Sequence, residues 1–215
     1  MALLQPNQTI LFQGDSITDT GRNRDQNTGH EYGALGFGYA KMAAAELLSR
    51  HPAHGFRFLN RGISGNRIVD LYARILADTI NLKPDLLSVL IGVNDTWHAF
   101  KHSNGVAVPK FERVYRDFLS EVRAALPAIR FVLCEPFVLP CGVVEPAWIE
   151  EMAARRAVVR ALAAEFGAVF VPFQELFDAA QQEAGPEYWA GDGVHPSVAG
   201  HYRMARAWVD AVSAA

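Results

Sequence analysis

At 215 residues, half of them hydrophobic and 11% aromatic, the chain is long enough to bury one sizeable core and too apolar to stay disordered. A net charge of −3 with scattered Lys and Arg offers no basic stripe for a phosphate backbone and no polybasic anchor, so neither nucleic acid nor a membrane is an expected partner. The N-terminal stretch Met1-Ala2-Leu3-Leu4-Gln5-Pro6 lacks a positively charged leader, no apolar run approaches a bilayer's thickness, and two cysteines, Cys134 and Cys141, are too few for a disulfide framework or a metal spacing. A cytoplasmic protein of one domain, residues 1–215, is the expectation.

In chain order, an apolar strand over 9–13 runs into Gly14-Asp15-Ser16, and a helical pattern over 39–50 follows. A second strand, 56–60, leads into Arg61-Gly62-Ile63-Ser64-Gly65-Asn66 and a helix over 68–79. A third, 86–91, ends at Gly92-Val93-Asn94-Asp95 before a helix over 109–126. The remaining strands, 131–135 and 168–171, flank a helix over 148–166, and a last helix over 197–212 comes after Trp189-Ala190-Gly191-Asp192-Gly193-Val194-His195-Pro196. Short apolar runs alternating with longer helical patterns predict a parallel sheet covered on both faces, a single three-layer α/β/α sandwich. Ligands of such sheets bind outside the carboxyl ends of the strands, so the residues there carry the functional signal.

Asp192 and His195 lie three residues apart in a glycine-containing turn, close enough for the carboxylate to fix the imidazole tautomer and leave its far nitrogen free to take a proton. The same residues also suit a plain turn. Ser16, at the end of the first strand, is a candidate nucleophile for that base, or simply a helix N-cap. Thr18 stands where G-x-S-x-G requires glycine, so the nucleophile elbow of α/β-hydrolases is absent. Acyl transfer further needs donors for an oxyanion: the backbone N–H groups of Ser16 and Gly65 and the side-chain amide of Asn94 are available at three strand ends.

The four blocks "GDSITD", "GISGN", "IGVND" and "DGVHP" resemble, in content and order, those of the SGNH or GDSL-type hydrolases, and the resemblance spans essentially the whole chain. It implies a flavodoxin-like sheet of about five strands ordered 2-1-3-4-5. It also implies Ser16 as nucleophile, His195 as base, Asp192 as its orienting partner, and Ser16, Gly65 and Asn94 as the oxyanion hole, with no metal or organic cofactor. The longer strings "GDSITDTGR", "GALGFGY", "IGVNDTW" and "HPSVAGH" look like the branch containing bacterial intracellular acetylxylan esterases. An acetylesterase for carbohydrate esters such as acetylated xylo-oligosaccharides is the expectation. The alternative is an arylesterase or lysophospholipase-type lipase of the same family, because substrate does not follow from catalytic residues.

Two readings from other classes compete. Asp15, Asp19, Asp95, Asp192 and His195 could form the metal site of a phosphoesterase, although few histidines sit at ligand spacing and neither H-E-x-x-H nor a Cys/His cluster occurs. A non-catalytic binding module is the other, but Gly33-Ala34-Leu35-Gly36-Phe37-Gly38 does not fit G-x-G-x-x-G. Trp97 and Trp189, near Asn94 and Asp192 in sequence, are candidates to stack on a sugar ring. Asp19, Arg22 and Tyr39 are candidate rim residues, His201 reads as a packing residue, and His51 and His54 read as exposed at a helix end. A homo-oligomer is compatible with the amphipathic helices.

Overall fold

The computed structural model describes residues 3–26 and 33–215; Met1 and Ala2 of the N-terminal stretch lie outside the described residues. Five strands, β1 (Thr9–Gly14), β2 (Arg57–Asn60), β3 (Leu86–Leu90), β4 (Arg130–Cys134) and β5 (Val169–Val171), form one sheet in the order β2-β1-β3-β4-β5. Every pairing is parallel. This is the topology that the resemblance implied, and the apolar runs occupy it because each strand is covered on both faces.

Alternation along the strands divides the core. Ile10 and Phe12 of β1 face the side covered by α2 (Tyr39–Arg50), α8 (Phe173–Ala180) and α10 (Val198–Ala214). Leu11 of the same strand, with Leu87 and Val89 of β3, faces α3 (Ile68–Ala73), α6 (Val108–Ala125) and α7 (Pro146–Glu165). On α6, Phe111, Tyr115, Phe118, Leu119 and Val122 recur at three- and four-residue spacing and are all buried, so the helix docks by the stripe its sequence displays. The first face is aromatic: Trp208 packs 4.9 Å from Phe12, and its indole N–H donates to the Ser88 hydroxyl at 2.9 Å, satisfying two buried polar groups at once.

The helical pattern over 68–79 is interrupted. Arg74 separates α3 from α4 (Ile75–Asp78), and its guanidinium turns inward to donate to the backbone oxygen of Arg61 and the side chain of Asn66. Four further helices interrupt segments that carry no long apolar period: α1 (Ser16–Asp19), α5 (Val93–His102), α8 and α9 (Pro186–Trp189). Among the described residues, no helix is long and apolar enough to cross a membrane.

Candidate active site

The site lies at the carboxyl ends of β1 and β3, where the strand order reverses, and backbone geometry at the end of β1 sets the first residue. A Cβ on Gly14 would collide with the Leu90 carbonyl of the neighbouring strand, so only glycine closes this strand against β3. The Asp15 side chain then accepts from the Ile17 N–H at 3.0 Å and caps α1. Because the aspartate fills the cap, Ser16 is the first helical residue and its hydroxyl is not spent on the backbone. That hydroxyl lies 2.8 Å from Nε2 of His195.

His195 is oriented from behind. One oxygen of Asp192 stands 2.6 Å from its Nδ1, while the other accepts the backbone N–H groups of Val194 at 2.9 Å and His195 at 2.7 Å. A carboxylate is an acceptor only, so this geometry places the ring proton on Nδ1 and leaves Nε2 as an acceptor toward Ser16. Partial burial works to raise the Asp192 acidity constant, but the donated His195 ring proton and the two backbone N–H groups outweigh it, holding the carboxyl below its ordinary range. Asp192 is therefore anionic at neutral pH, as an orienting partner of an imidazolium must be.

The loop bearing Asp192 rests on the loop that follows β4. Leu139 donates to the Gly193 carbonyl at 2.8 Å and Val143 to the Asp192 carbonyl at 3.0 Å. Gly142 and Gly193 both have positive φ, and a Cβ on either would collide with the opposing backbone. Sequence reasoning missed this bed; the paired glycines at 142 and 193 are its only trace in the sequence.

The three candidate donors come from separate elements. Gly62 packs against the backbone of Thr18 and Asp19 where no Cβ fits, whereas Gly65, at φ +82°, has nothing within 4 Å of where its Cβ would be and faces open space. Asn94 lies in the first turn of α5 after Gly92, not in a loop, and donates one amide hydrogen to the Asn66 carbonyl at 3.2 Å, leaving the other available. The backbone N–H groups of Ser16 and Gly65 have no acceptor among the described residues. Each of the three thus offers an N–H without a protein acceptor among the described residues, the kind of group that a developing oxyanion requires.

Trp97, one turn beyond Asn94, stands 6.0 Å from the His195 ring and leans edge-on against Trp148 at 5.4 Å. Its ring thus packs beside that of His195. Trp189, by contrast, is 5% exposed, and its indole N–H donates to the carbonyls of Ala180 and Ala184 at 3.0 and 3.1 Å. The expected sugar-stacking role for Trp189 is therefore corrected to core packing; proximity to Asp192 in sequence is undone by α9, which turns the ring inward. Tyr39 is likewise no rim residue, being fully buried with its hydroxyl 3.2 Å from that of Thr18. His201 is buried and accepts the Tyr39 N–H at Nδ1, and burial, with the nearby His195, lowers its acidity constant to about 4. His51 and His54 stack on each other at 4.6 Å over Phe56 and are half-buried, not fully exposed.

Two carboxyls behind the site are unusual. Asp15 and Asp95 are both buried, and desolvation raises each to about 7. Asp95 accepts the Ile68 N–H with both oxygens at 3.2 and 3.3 Å and feels the buried Arg155 guanidinium, which bonds Thr96 at 2.8 Å. The acidic groups that a metal reading would recruit are thus occupied as caps, braces and the His195 partner.

The GDSL-like lipase/acylhydrolase family matches residues 12–203 of the chain. An acetylxylan esterase of Geobacillus stearothermophilus is 37% identical over 206 residues, covering 94% of this chain and 92% of the relative. A crystal structure of that enzyme superposes with a TM-score of 0.89 at 35% identity, covering 99% of this chain and 96% of the other. Three further structures of it, described as catalytic mutants, carry alanine at a serine, an aspartate and a histidine. A candidate GDSL-like lipase from Parabacteroides merdae superposes with a TM-score of 0.94 at 41% identity, covering 97% of each chain. Shared blocks, sheet order and whole-length similarity agree: the chain belongs to the GDSL-like lipase/acylhydrolase family and is a carboxylic ester hydrolase.

Proposed function

We propose that the chain is a serine acetylesterase acting on O-acetyl groups of short carbohydrates such as xylo-oligosaccharides, with Ser16 as nucleophile, His195 as general base and acid, and Asp192 as the group that orients it. The observation that carries this reading is the continuous relay from Ser16 Oγ through both ring nitrogens of His195 to Asp192, at 2.8 and 2.6 Å. The serine, aspartate and histidine replaced in the catalytic mutants of the Geobacillus enzyme are the same three residue types and support the assignment.

In the first step, Ser16 Oγ attacks the ester carbonyl as His195 Nε2 takes its proton. The carbonyl oxygen becomes an oxyanion within reach of the Ser16 and Gly65 N–H groups and the free amide hydrogen of Asn94. Collapse expels the alcohol, which receives the proton from His195, and leaves acetyl on Ser16. Water attacks the acyl-enzyme with the same base, and acetate leaves. Trp97 provides an apolar face against which a sugar ring bearing the ester packs. Cys134 and Cys141 are both free thiols, the state a reducing compartment maintains, which supports a cytoplasmic setting.

Acetate release from acetylated xylo-oligosaccharides, with Ser16→Ala as the blank, tests the proposal. Fast Ser16-dependent release is expected. Ser16-dependent cleavage of p-nitrophenyl acetate without release from the oligosaccharide would move the substrate elsewhere, and turnover undiminished in Ser16→Ala would remove the nucleophile.

A further inference from the structure

The one-turn helix α1 carries more than the nucleophile. Asp19, three residues after Ser16, is 5% exposed, and one oxygen of its carboxylate accepts both the backbone N–H of Ser64 at 3.1 Å and the Ser64 hydroxyl at 3.3 Å. Its other oxygen accepts the Arg22 N–H at 3.3 Å, and the exposed Arg24 guanidinium lies 3.5 Å away. Ser64 immediately precedes Gly65. The same loop meets α1 a second time at Gly62, whose backbone lies against that of Asp19 so closely that no Cβ fits, and Arg22 donates to the Gly62 carbonyl at 2.9 Å.

We infer that Asp19 is a positioning residue for the oxyanion hole, clamping Ser64, the residue before Gly65, to the same turn of helix that presents the Ser16 hydroxyl. The inference rests on the roles proposed above for Ser16 and Gly65. Its physical basis is the conformational freedom of Gly65. At φ +82° with open space around it, the glycine has no side chain to fix its N–H, so the direction of that donor is set by its neighbours. On the far side, Asn66 is held through its carbonyl by Asn94 and through its side chain by Arg74. On the near side, within a turn closed by the Asn66 N–H on the Ile63 carbonyl at 3.1 Å, the bonds to Ser64 among the described residues come from Asp19. A charged acceptor holding a backbone N–H is among the stronger hydrogen bonds of a protein, and here it spans from the nucleophile's helix to the donor's loop. Preorganised donors act only where the oxyanion forms, so a loosened clamp lowers transition-state binding more than ground-state binding.

The test compares Asp19→Ala, Asp19→Asn and Ser64→Ala with the unaltered chain, using p-nitrophenyl acetate for turnover and phenylboronic acid as a probe that forms a tetrahedral adduct on the serine. For Asp19→Ala, kcat is expected to fall on the order of ten- to a hundredfold, as misplaced groups cost, with KM within about twofold. The boronate inhibition constant rises in step with the loss of kcat/KM, and the shape of the pH profile is unchanged because the His195–Asp192 pair is untouched. Asp19→Asn keeps the size of the side chain and one acceptor oxygen, so its loss is smaller in the same direction and gives a reading should the alanine variant fail to fold. Ser64→Ala keeps the N–H bond and loses least. Wild-type kcat in Asp19→Asn and Asp19→Ala, or a loss seen in KM with boronate affinity intact, overturns the clamp while leaving the nucleophile in place. Absence of Ser16-dependent turnover in the unaltered chain overturns both.

Discussion

Replacing Asp15 by Asn removes a buried titratable carboxyl beside Ser16 while keeping its cap, and its effect on stability is set by pH. The Asp15 carboxyl is fully buried, one oxygen accepts the Ile17 N–H, and the other has no partner among the described residues. Desolvation raises its acidity constant from 3.8 to about 7, against the pull of the Ile17 N–H and of His195. Between those two values the folded chain holds a proton that the unfolded chain has released, so the folded state binds more protons and stability falls as pH rises across that window, levelling off above it. At about 1.4 kcal/mol per pH unit, the whole displacement is worth about 4 kcal/mol, and the part lying above pH 5 about 3 kcal/mol. Asparagine caps as well as aspartate and does not titrate. It leaves an amide group where the unpartnered oxygen was, a penalty of about 1–3 kcal/mol that is the same at every pH. The stability of Asp15→Asn relative to the unaltered chain, measured by urea unfolding, should therefore improve by about 3 kcal/mol between pH 5 and pH 8. A difference that stays constant over that range would show that burial does not perturb Asp15 and would refute the reasoning.

Asn94→Ala should lower kcat for p-nitrophenyl acetate by about a hundred- to a thousandfold, the usual consequence of losing one oxyanion donor; an unchanged kcat takes Asn94 out of the hole. Gly142→Ala puts a Cβ into the Asp192 backbone at a positive φ, so kcat should drop by roughly tenfold or more although residue 142 touches no substrate, and steady-state kinetics on the folded variant check it. Trp97→Ala should raise KM for acetylated xylo-oligosaccharides while sparing kcat on p-nitrophenyl acetate. Trp189→Phe should leave both KM values alone and destabilise the fold by about 1–3 kcal/mol as two carbonyls lose a donor, which urea unfolding reads.

The strands were legible because each is a short apolar run buried on both faces, and all five appear within a residue or so of where the pattern puts them. The long helices were legible for the complementary reason: α2 spans Tyr39–Arg50 as its periodicity predicts. What failed to show were helices too short to complete a period. The four residues of α1 and of α9 cannot display a stripe, and α5 opens on Asn94, Asp95 and Thr96, weak helix formers of which Asp95 accepts the Ile68 N–H at the start of α3. These invisible helices decide which side chains face the crevice. Placement on α5 puts Trp97 beside His195, whereas α9 rotates Trp189 into the core. Four blocks of sequence pointed to Ser16, His195 and Asp192, which the fold brings together, but they did not show the supports. Asp19 looks like any turn carboxylate until the loop after β2 is seen lying on it.

The hydroxyl of Ser16 meets the ring of His195 across 179 residues of chain. With His195 acting as the base proposed above, the sheet's first four strands can all have emerged from a ribosome while the group that activates Ser16 is still unsynthesised, so on that reading the nascent chain is inert until its last loop arrives. In refolding the same separation makes this a late contact, because closing so long a loop rewards little until the sheet between its ends exists. Recovery of ester hydrolysis after dilution from urea therefore trails the recovery of helix signal. The enzyme's turnover reports completion of the fold, where spectroscopy reports only its beginning.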